Sequence, residues 1–281
     1  MKLHALLTAA ALSAATCVSA SAQITGKVSL DGAAPEPQEI AMAADAKCAA
    51  AHPDPVLDES VVVGEKGELA NVVVSISAEG KELKGEAPKT PAVLDQEGCQ
   101  YKPHVLAMMV GQDFVVKNSD PFLHNVHSLA LDNPPFNFGQ PNKDPGKKMT
   151  NSIKVTERFV IKCDVHPWML THVNVFEHPF FAISKEDGTF EIPTKGLEDG
   201  TYTLEIWHEK LAPEPITQEI EVKDGKAEVE EVKIMADASA RADEAGDDDA
   251  EVALVSAEED KSCKLGGDCC KDKAAAVAKG N

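Results

Sequence analysis

Residues 163–169 read C-D-V-H-P-W-M and hold three side chains that can bind a transition metal: the Cys163 thiol, the His166 imidazole and the Met169 thioether. They follow an apolar run, so a strand that ends at a short loop could direct all three toward one point. A second imidazole, His124, lies upstream in the segment H-N-V-H. Two His, one Cys and a weakly held Met are the ligands of blue copper electron-transfer sites, because thiolate and thioether stabilise copper(I) while imidazole suits both oxidation states.

Each residue of the loop also has a purely structural alternative. A lone Cys on a strand is often a buried packing residue, as Cys163 could be. Met169 could fill the core, and Trp168 could pack there or cover the metal against water. The spacing therefore predicts ligation by Cys163 and His166, with Met169 either as a fourth ligand or as a core residue.

The remaining histidines are distinguished by their spacing. His124 and His127 are three positions apart, so on an extended strand they face opposite sides and only one of them can reach the metal. His104, His172 and His178 could form a second metal site, although scattered histidines are more often structural.

The elements that position these residues are expected to be strands. Short apolar runs separated by Gly, Pro and Asp turns predict an almost purely β structure over residues 24–235. A short Ala-rich helix is predicted at 39–51, and a long loop at 133–149, where Asn, Pro, Gly and Lys crowd together. The predicted strands cover residues 24–30, 70–76, 105–110, 114–116, 153–161, 173–176, 180–184, 190–192, 202–207, 216–222 and 229–234.

Residues 95–177 resemble a cupredoxin of the plastocyanin or pseudoazurin kind. Its first half is a Gly turn at Gly111, an apolar strand at 114–116, then Asn118 and a His-Asn-Val at 124–126. Its second half is a C-x2-H formed by Cys163 and His166, a nearby Met169, and the alternating valines Val173 and Val175. The resemblance implies a Greek-key sandwich with copper near one end. The ligands that it implies are His124, Cys163, His166 and Met169.

The sequence departs from the family pattern at one point, and the resemblance also implies which residues surround the ligands. The family's spacing from the second His to Met is longer, and H-x2-M resembles the binuclear copper centre of oxidases. That centre needs two cysteines in the loop, whereas this loop has one, so a mononuclear site is expected. Asn125, His127 and Trp168 are then candidates for the surroundings of the ligands.

Residues 178–235 resemble the regulatory β-sandwich found beside carboxypeptidases. The motifs are D-G-T-F at 187–190 and D-G-T-Y-T-L at 199–204, and the family's opening strand resembles G-K-V at 26–28 followed by D-G. The prediction is an all-β chain in which a cupredoxin-like sandwich is inserted in, or packed beside, a second small sandwich. Its parts are residues 23–94 (first strands of the regulatory-like sandwich), 95–177 (copper domain) and 178–235 (remaining strands of the regulatory-like sandwich).

The first 22 residues are predicted to be a signal peptide. An apolar stretch at 5–16 is followed by Ala20-Ser21-Ala22, which fits a cleavage site, whereas Cys17 offers a poorer lipoprotein alternative. No later apolar run is long enough for a transmembrane helix. We therefore expect an exported protein, periplasmic or secreted. Export makes a Cys48–Cys99 disulfide plausible once Cys163 is assigned to metal, the alternative being two free buried thiols.

The chain of 281 residues is strongly acidic, with 47 Asp and Glu against 27 Lys and Arg, a formal charge of −20. This balance argues against nucleic-acid binding, which needs clustered cations. Residues 236–281 predict a disordered acidic tail. Its Cys263, Cys269 and Cys270 could be solvated or could bind soft metal ions.

Three functions compete at this level. The first is an electron carrier with copper as cofactor and a redox protein as partner. The second is copper storage, delivery or tolerance, with a copper donor or acceptor as partner. The third is a structural surface module. An enzyme is not expected, because copper oxidases that resemble this fold need further His-x-His metal sites, which the sequence lacks. G-x-S-x-G, H-E-x-x-H and Gly-rich phosphate loops are missing as well.

Overall fold

The computed structural model describes residues 23–149 and 152–236. Over these residues the protein is built almost entirely of β-strands, and the all-β prediction is confirmed. The predicted signal peptide and nearly all of the predicted acidic tail, with Cys263, Cys269 and Cys270, lie outside the described residues. Among the described residues, no helix combines the length and the apolar character that spanning a bilayer requires.

The elements follow one another as strands with a single helical segment after the first of them. They are β1 (Gln23–Asp31), a 3-10 turn (Met42–Ala44), α1 (Ala46–Ala51), β2 (Val73–Ser77), β3 (Ala92–Gln96), β4 (Tyr101–Lys102), β5 (Val105–Met109), β6 (Phe114–Asn118), β7 (His124–Ser128), β8 (Asn137–Gln140), β9 (Asp144–Lys148), β10 (Arg158–Lys162), β11 (Leu170–Phe176), β12 (Phe181–Ile183), β13 (Thr189–Pro193), β14 (Gly200–His208), β15 (Ala212–Val222), β16 (Ala227–Glu228) and β17 (Val232–Met235).

The described strands form four sheets, which enclose two separate hydrophobic cores. The first core lies between the sheet β12-β2-β14-β15 and the sheet in which β1 pairs with β13, β16 and β17. It takes the early strands β1 and β2 together with the late strands β12–β17. The chain therefore leaves this sandwich after β2 and returns to it at β12.

The second core lies between the sheets β5-β11-β10-β7-β8 and β4-β3-β6-β9. Its buried side chains alternate along the strands, as in Phe114 and Val116 of β6, so each strand directs one face inward. The predicted boundary after residue 94 falls inside β3, whose Ala92 and Leu94 belong to this second core.

The α1 segment is tied to the second core by a disulfide between Cys48 and Cys99, as predicted. The helix is shorter than expected, because Asp45 caps it by accepting hydrogen bonds from the backbone N–H groups of Lys47 and Cys48. Cys48 and Cys99 are both fully buried. The disulfide thus joins a segment of the predicted 23–94 region to the region 95–177, which was predicted to be the copper domain.

A small third cluster lies between the two cores. Val73 of β2 and Trp207 of β14 pack against Val105 of β5. On β2, Val73 faces away from the first core, into which the neighbouring Val72 and Val74 point. Side chains on the outer face of one sandwich are in this way buried against the other.

Two predicted segments differ from the structure. The loop expected at 133–149 contains the edge strands β8 and β9, whose polar residues give no apolar period. The strand expected at 153–161 begins only at Arg158. Before it, the backbone N–H groups of Lys154 and Val155 donate to the side chain of Asn133 instead of to a neighbouring strand.

Removal of the disulfide should lower the stability substantially. Its sequence separation is 51 residues, so loop-closure entropy predicts a loss of about 4 kcal/mol in the Cys48→Ala/Cys99→Ala variant. Urea unfolding of metal-free protein measures the difference. Cys163→Ala, which leaves the disulfide intact, is the control, and a double variant as stable as this control would contradict the prediction.

Candidate metal centre

The loop 163–169 closes one end of the second core. β10 ends at Lys162 and β11 begins at Leu170, and the two strands pair antiparallel. Within the loop the Cys163 N–H donates to the Met169 carbonyl at 3.0 Å, and the Met169 N–H donates to the His166 carbonyl at 2.9 Å. The loop is thus held by its own backbone.

The same strand β10 positions the upstream histidine. On its other edge it pairs with β7, and the pair Lys162–His127 fixes the register. β7 begins at His124, so this imidazole lies at the sheet end where Cys163 follows β10. Residues distant in sequence therefore meet because β7, β10 and β11 are neighbours in one sheet.

Three donor atoms come together there. Nδ1 of His124 lies 3.0 Å from Nδ1 of His166, and Sγ of Cys163 lies 3.7 Å from the same His166 nitrogen. All three are within 4.8 Å of one another. The residues are nearly inaccessible, with 0 % of His124 and 2 % of each of the other two exposed.

A carboxylate lies beside the outer nitrogen of each imidazole. Nε2 of His124 donates to Oδ2 of Asp120 at 2.8 Å, and Nε2 of His166 lies 3.6 Å from Oδ2 of Asp45. A carboxylate on the outer nitrogen is typical of metal-bound histidine, because it keeps the proton there and leaves Nδ1 as a lone pair. Once a metal ion displaces the proton that His124 donates to Cys163, two Nδ1 lone pairs and a thiolate face the ion.

Hydrogen bonds favour the ionised thiol. Burial acts to raise the pKa of Cys163, but hydrogen bonds from His124 and from backbone N–H groups outweigh it, so the pKa lies below its ordinary value. The N–H of Asn125 donates to Sγ at 3.4 Å. Because the thiolate is the form that binds metal, this environment suits ligation.

The pKa values of the two imidazoles move in opposite directions. Burial acts to lower the pKa of His124, but the hydrogen bonds to Asp120 and Cys163 raise it overall. Burial, and then the neighbouring His124, lower the pKa of His166. His166 is therefore held in the neutral form that a metal requires.

Asn125 links the two halves of the site, consistent with its predicted place beside the ligands. Besides its bond to the thiol, its side-chain oxygen accepts the Asp164 N–H at 3.1 Å. Its carbonyl accepts the Tyr101 hydroxyl at 2.5 Å. Three bonds from one residue thus fix β7, the ligand loop and β4 relative to one another.

Trp168 packs beside the donor His166. The indole lies 5.3 Å from the His166 ring, centroid to centroid, and its N–H donates to the Cys99 carbonyl at 3.0 Å. Trp168 therefore covers His166 and connects the loop to the disulfide. Met169 is 1 % exposed and packs in the second core, and its role as fourth ligand stays a prediction.

His127 lies on the opposite face of β7 from His124. It is partly exposed, and its Nδ1 contacts the carboxylate of Asp164 at 3.0 Å. The hydrogen bond from His127, followed by that from Lys162, lowers the pKa of Asp164 to about 2. The structure thus places His127 in a surface ion pair and not among the three donors.

The carboxylates of this site were missed at the sequence level. Asp120 lies four residues before His124, but no periodic pattern in the N-S-D-P segment distinguishes it from a turn residue. Asp45 belongs to a helix cap far away in the chain. Of the alternative set His104, His172 and His178, the first two lie together, whereas the His178 ring stacks on Phe180.

The Asp120 carboxylate should be needed for tight metal binding. Asp120→Asn removes the charge that fixes the His124 tautomer, and we expect copper affinity to fall about 10- to 100-fold. Asp164→Asn is the matched control, because Asp164 pairs with His127 on the other face of the same strand. Competition titrations against a chelator measure both variants, and equal losses would show that the effect is not specific to His124.

Comparison with known proteins finds similarity only among solved structures. No family model and no curated protein matches the chain. The chain is similar to a copper-containing nitrite reductase from Thermus scotoductus SA-01, at 21 % identity and a TM-score of 0.28. The match covers 37 % of this chain and 25 % of the reductase, so the chain spans about a quarter of that enzyme's length. It is also similar to a novel purple cupredoxin from Nitrosopumilus maritimus (21 % identity, TM-score 0.26, 30 % and 99 % covered) and to a copper(I) amicyanin mutant (22 % identity, TM-score 0.27, 37 % and 98 % covered).

Proposed function

We propose that the protein binds one copper ion through Nδ1 of His124, Nδ1 of His166 and Sγ of Cys163, with Met169 as a weak fourth ligand, and that it carries electrons. The observation that carries this proposal is the convergence of two imidazole nitrogens and one thiol in a buried cluster. One soft and two borderline donors are the set expected for a copper electron-transfer site. Copper would supply the one-electron couple.

The rigidity of the surroundings favours electron transfer over copper handling. Asp120 orients one imidazole, Asn125 binds the thiol and the loop backbone bonds hold Cys163 in register. Ligands that cannot move suit an ion that changes oxidation state without rearrangement. A storage or delivery protein instead needs donors that an acceptor can reach, whereas these donors are buried.

The disulfide and the charge support the cellular context proposed for this carrier. A buried disulfide is typical of proteins in an oxidising compartment, which agrees with the signal peptide predicted at residues 1–22. The formal charge of −20 favours association with a basic redox partner, and this attraction weakens as salt increases.

The visible spectrum tests the ligand set. Cys163→Ser should abolish the thiolate-to-copper(II) charge-transfer band, because serine provides no sulfur donor. His127→Ala is the control and should keep the band, since His127 lies on the opposite face of β7. Absorption spectra after addition of copper(II) decide the matter, and a Cys163→Ser protein with the parent band would exclude Cys163 as the ligand.

The copper redox cycle tests the function separately from the site. An electron carrier should show a reversible potential by voltammetry and should retain its copper through repeated cycles in the presence of a copper(I) chelator. Ready loss of copper(I) to the chelator with an unchanged fold would instead support storage or delivery.

A further inference from the structure

A second cluster of metal-binding side chains lies where the two sandwiches meet. His104 directly precedes β5, and His172 lies on β11, the parallel neighbour of β5. The His172 N–H donates to the His104 carbonyl at 3.0 Å, and the two rings lie 5.9 Å apart. Glu209 comes from the other sandwich, in the turn between β14 and β15.

The three side chains converge on one carboxylate. Nε2 of His172 lies 2.7 Å from Oε2 of Glu209, and Nε2 of His104 contacts Oε1. The donor atoms are all within 4.8 Å of one another. Side-chain exposures of 11 %, 17 % and 8 % for His104, His172 and Glu209 show that the cluster is largely shielded from water.

The surrounding backbone directs Glu209 into this position. The pairing of β14 with β15 shifts register between Ile206 and His208, and such a bulge changes the direction of the side chains that follow it. Trp207, next to the bulge, packs its ring 5.6 Å from that of His172. The register shift therefore lies next to Glu209 and contains the residue that packs on His172.

The cluster also borders free space. A cavity of about 110 Å³ is lined by His104 and Glu209 and also by Trp168 and Met169 of the ligand loop. An ion held by the three side chains could thus keep a further coordination position open for water or another small ligand, as in sites with three protein ligands.

We propose that His104, His172 and Glu209 form a second metal site, which takes a divalent cation of the zinc class. Two imidazoles and one carboxylate are a known ligand set for zinc, and the absence of sulfur from the three side chains disfavours copper(I). Since the ligands come from both sandwiches, the bound ion stabilises their contact. This site goes beyond the proposed copper function and does not depend on it.

Zinc titration of the full chain tests the proposal. The parent for the test carries serine at five positions, so that thiols do not bind zinc: Cys17, Cys163, Cys263, Cys269 and Cys270. We expect Glu209→Gln to bind one zinc ion fewer per chain than this parent. We also expect the thermal midpoint of the parent, but not that of Glu209→Gln, to rise with zinc. His178→Ala and the exposed Glu219→Gln are controls that should behave as the parent does.

A crystallographic measurement keeps the test independent of the folding of any variant. Anomalous scattering at the zinc edge from the zinc-loaded parent should place an ion between His104, His172 and Glu209. A peak there supports the site. Equal zinc stoichiometry for Glu209→Gln and the parent, or zinc found only elsewhere, would overturn it and leave the cluster as a hydrogen-bonded contact between the sandwiches.

Discussion

The Asp120 carboxylate connects the metal centre to the rest of the second sandwich. It accepts hydrogen bonds from the backbone N–H groups of Gly98 and Cys99, both at 2.9 Å, and from Nε2 of His124 at 2.8 Å. A buried carboxylate is stable only when it is well paired, and these three donors provide that pairing. On the other side, Asp45 caps α1 and faces His166. Each imidazole therefore has a carboxylate beside its outer nitrogen: Asp45, from the segment of Cys48, lies near His166, and Asp120, bonded to the Cys99 backbone, lies on His124.

Local spacing predicts Cys163 and His166 as donors, the His-Asn-Val resemblance adds His124, and the structure brings these three side chains together. Cys163 and His166 share one short loop, and the alternation of a strand separates His124 from His127. The carboxylates could not be predicted in this way, because their roles depend on contacts between distant segments. Asp45 reads as an ordinary helix cap, and Glu209 reads as one more acidic residue in a strongly acidic chain.

The same difference, between local patterns and contacts of distant segments, explains which strands the sequence predicted. Strands with an inward apolar face, such as β6, are visible as alternation in the sequence. The edge strands β8 and β9 are mostly exposed, so their pairing with β7 and β6 leaves no apolar signal. The apolar residues at 153–157 led to the prediction of a strand. None forms there, because the backbone N–H groups of Lys154 and Val155 donate to the side chain of Asn133 and not to a neighbouring strand.

The disulfide has a consequence for how this protein could be divided or transplanted. A fragment of residues 95–177 contains the three donors but lacks Asp45, Cys48 and the first half of β3. It would leave the Cys99 thiol unpaired and the outer nitrogen of His166 without its carboxylate. The second sandwich is thus incomplete without residues that precede β2. The same stretch of chain that provides Asp45 and Cys48 also supplies β1 of the neighbouring sandwich.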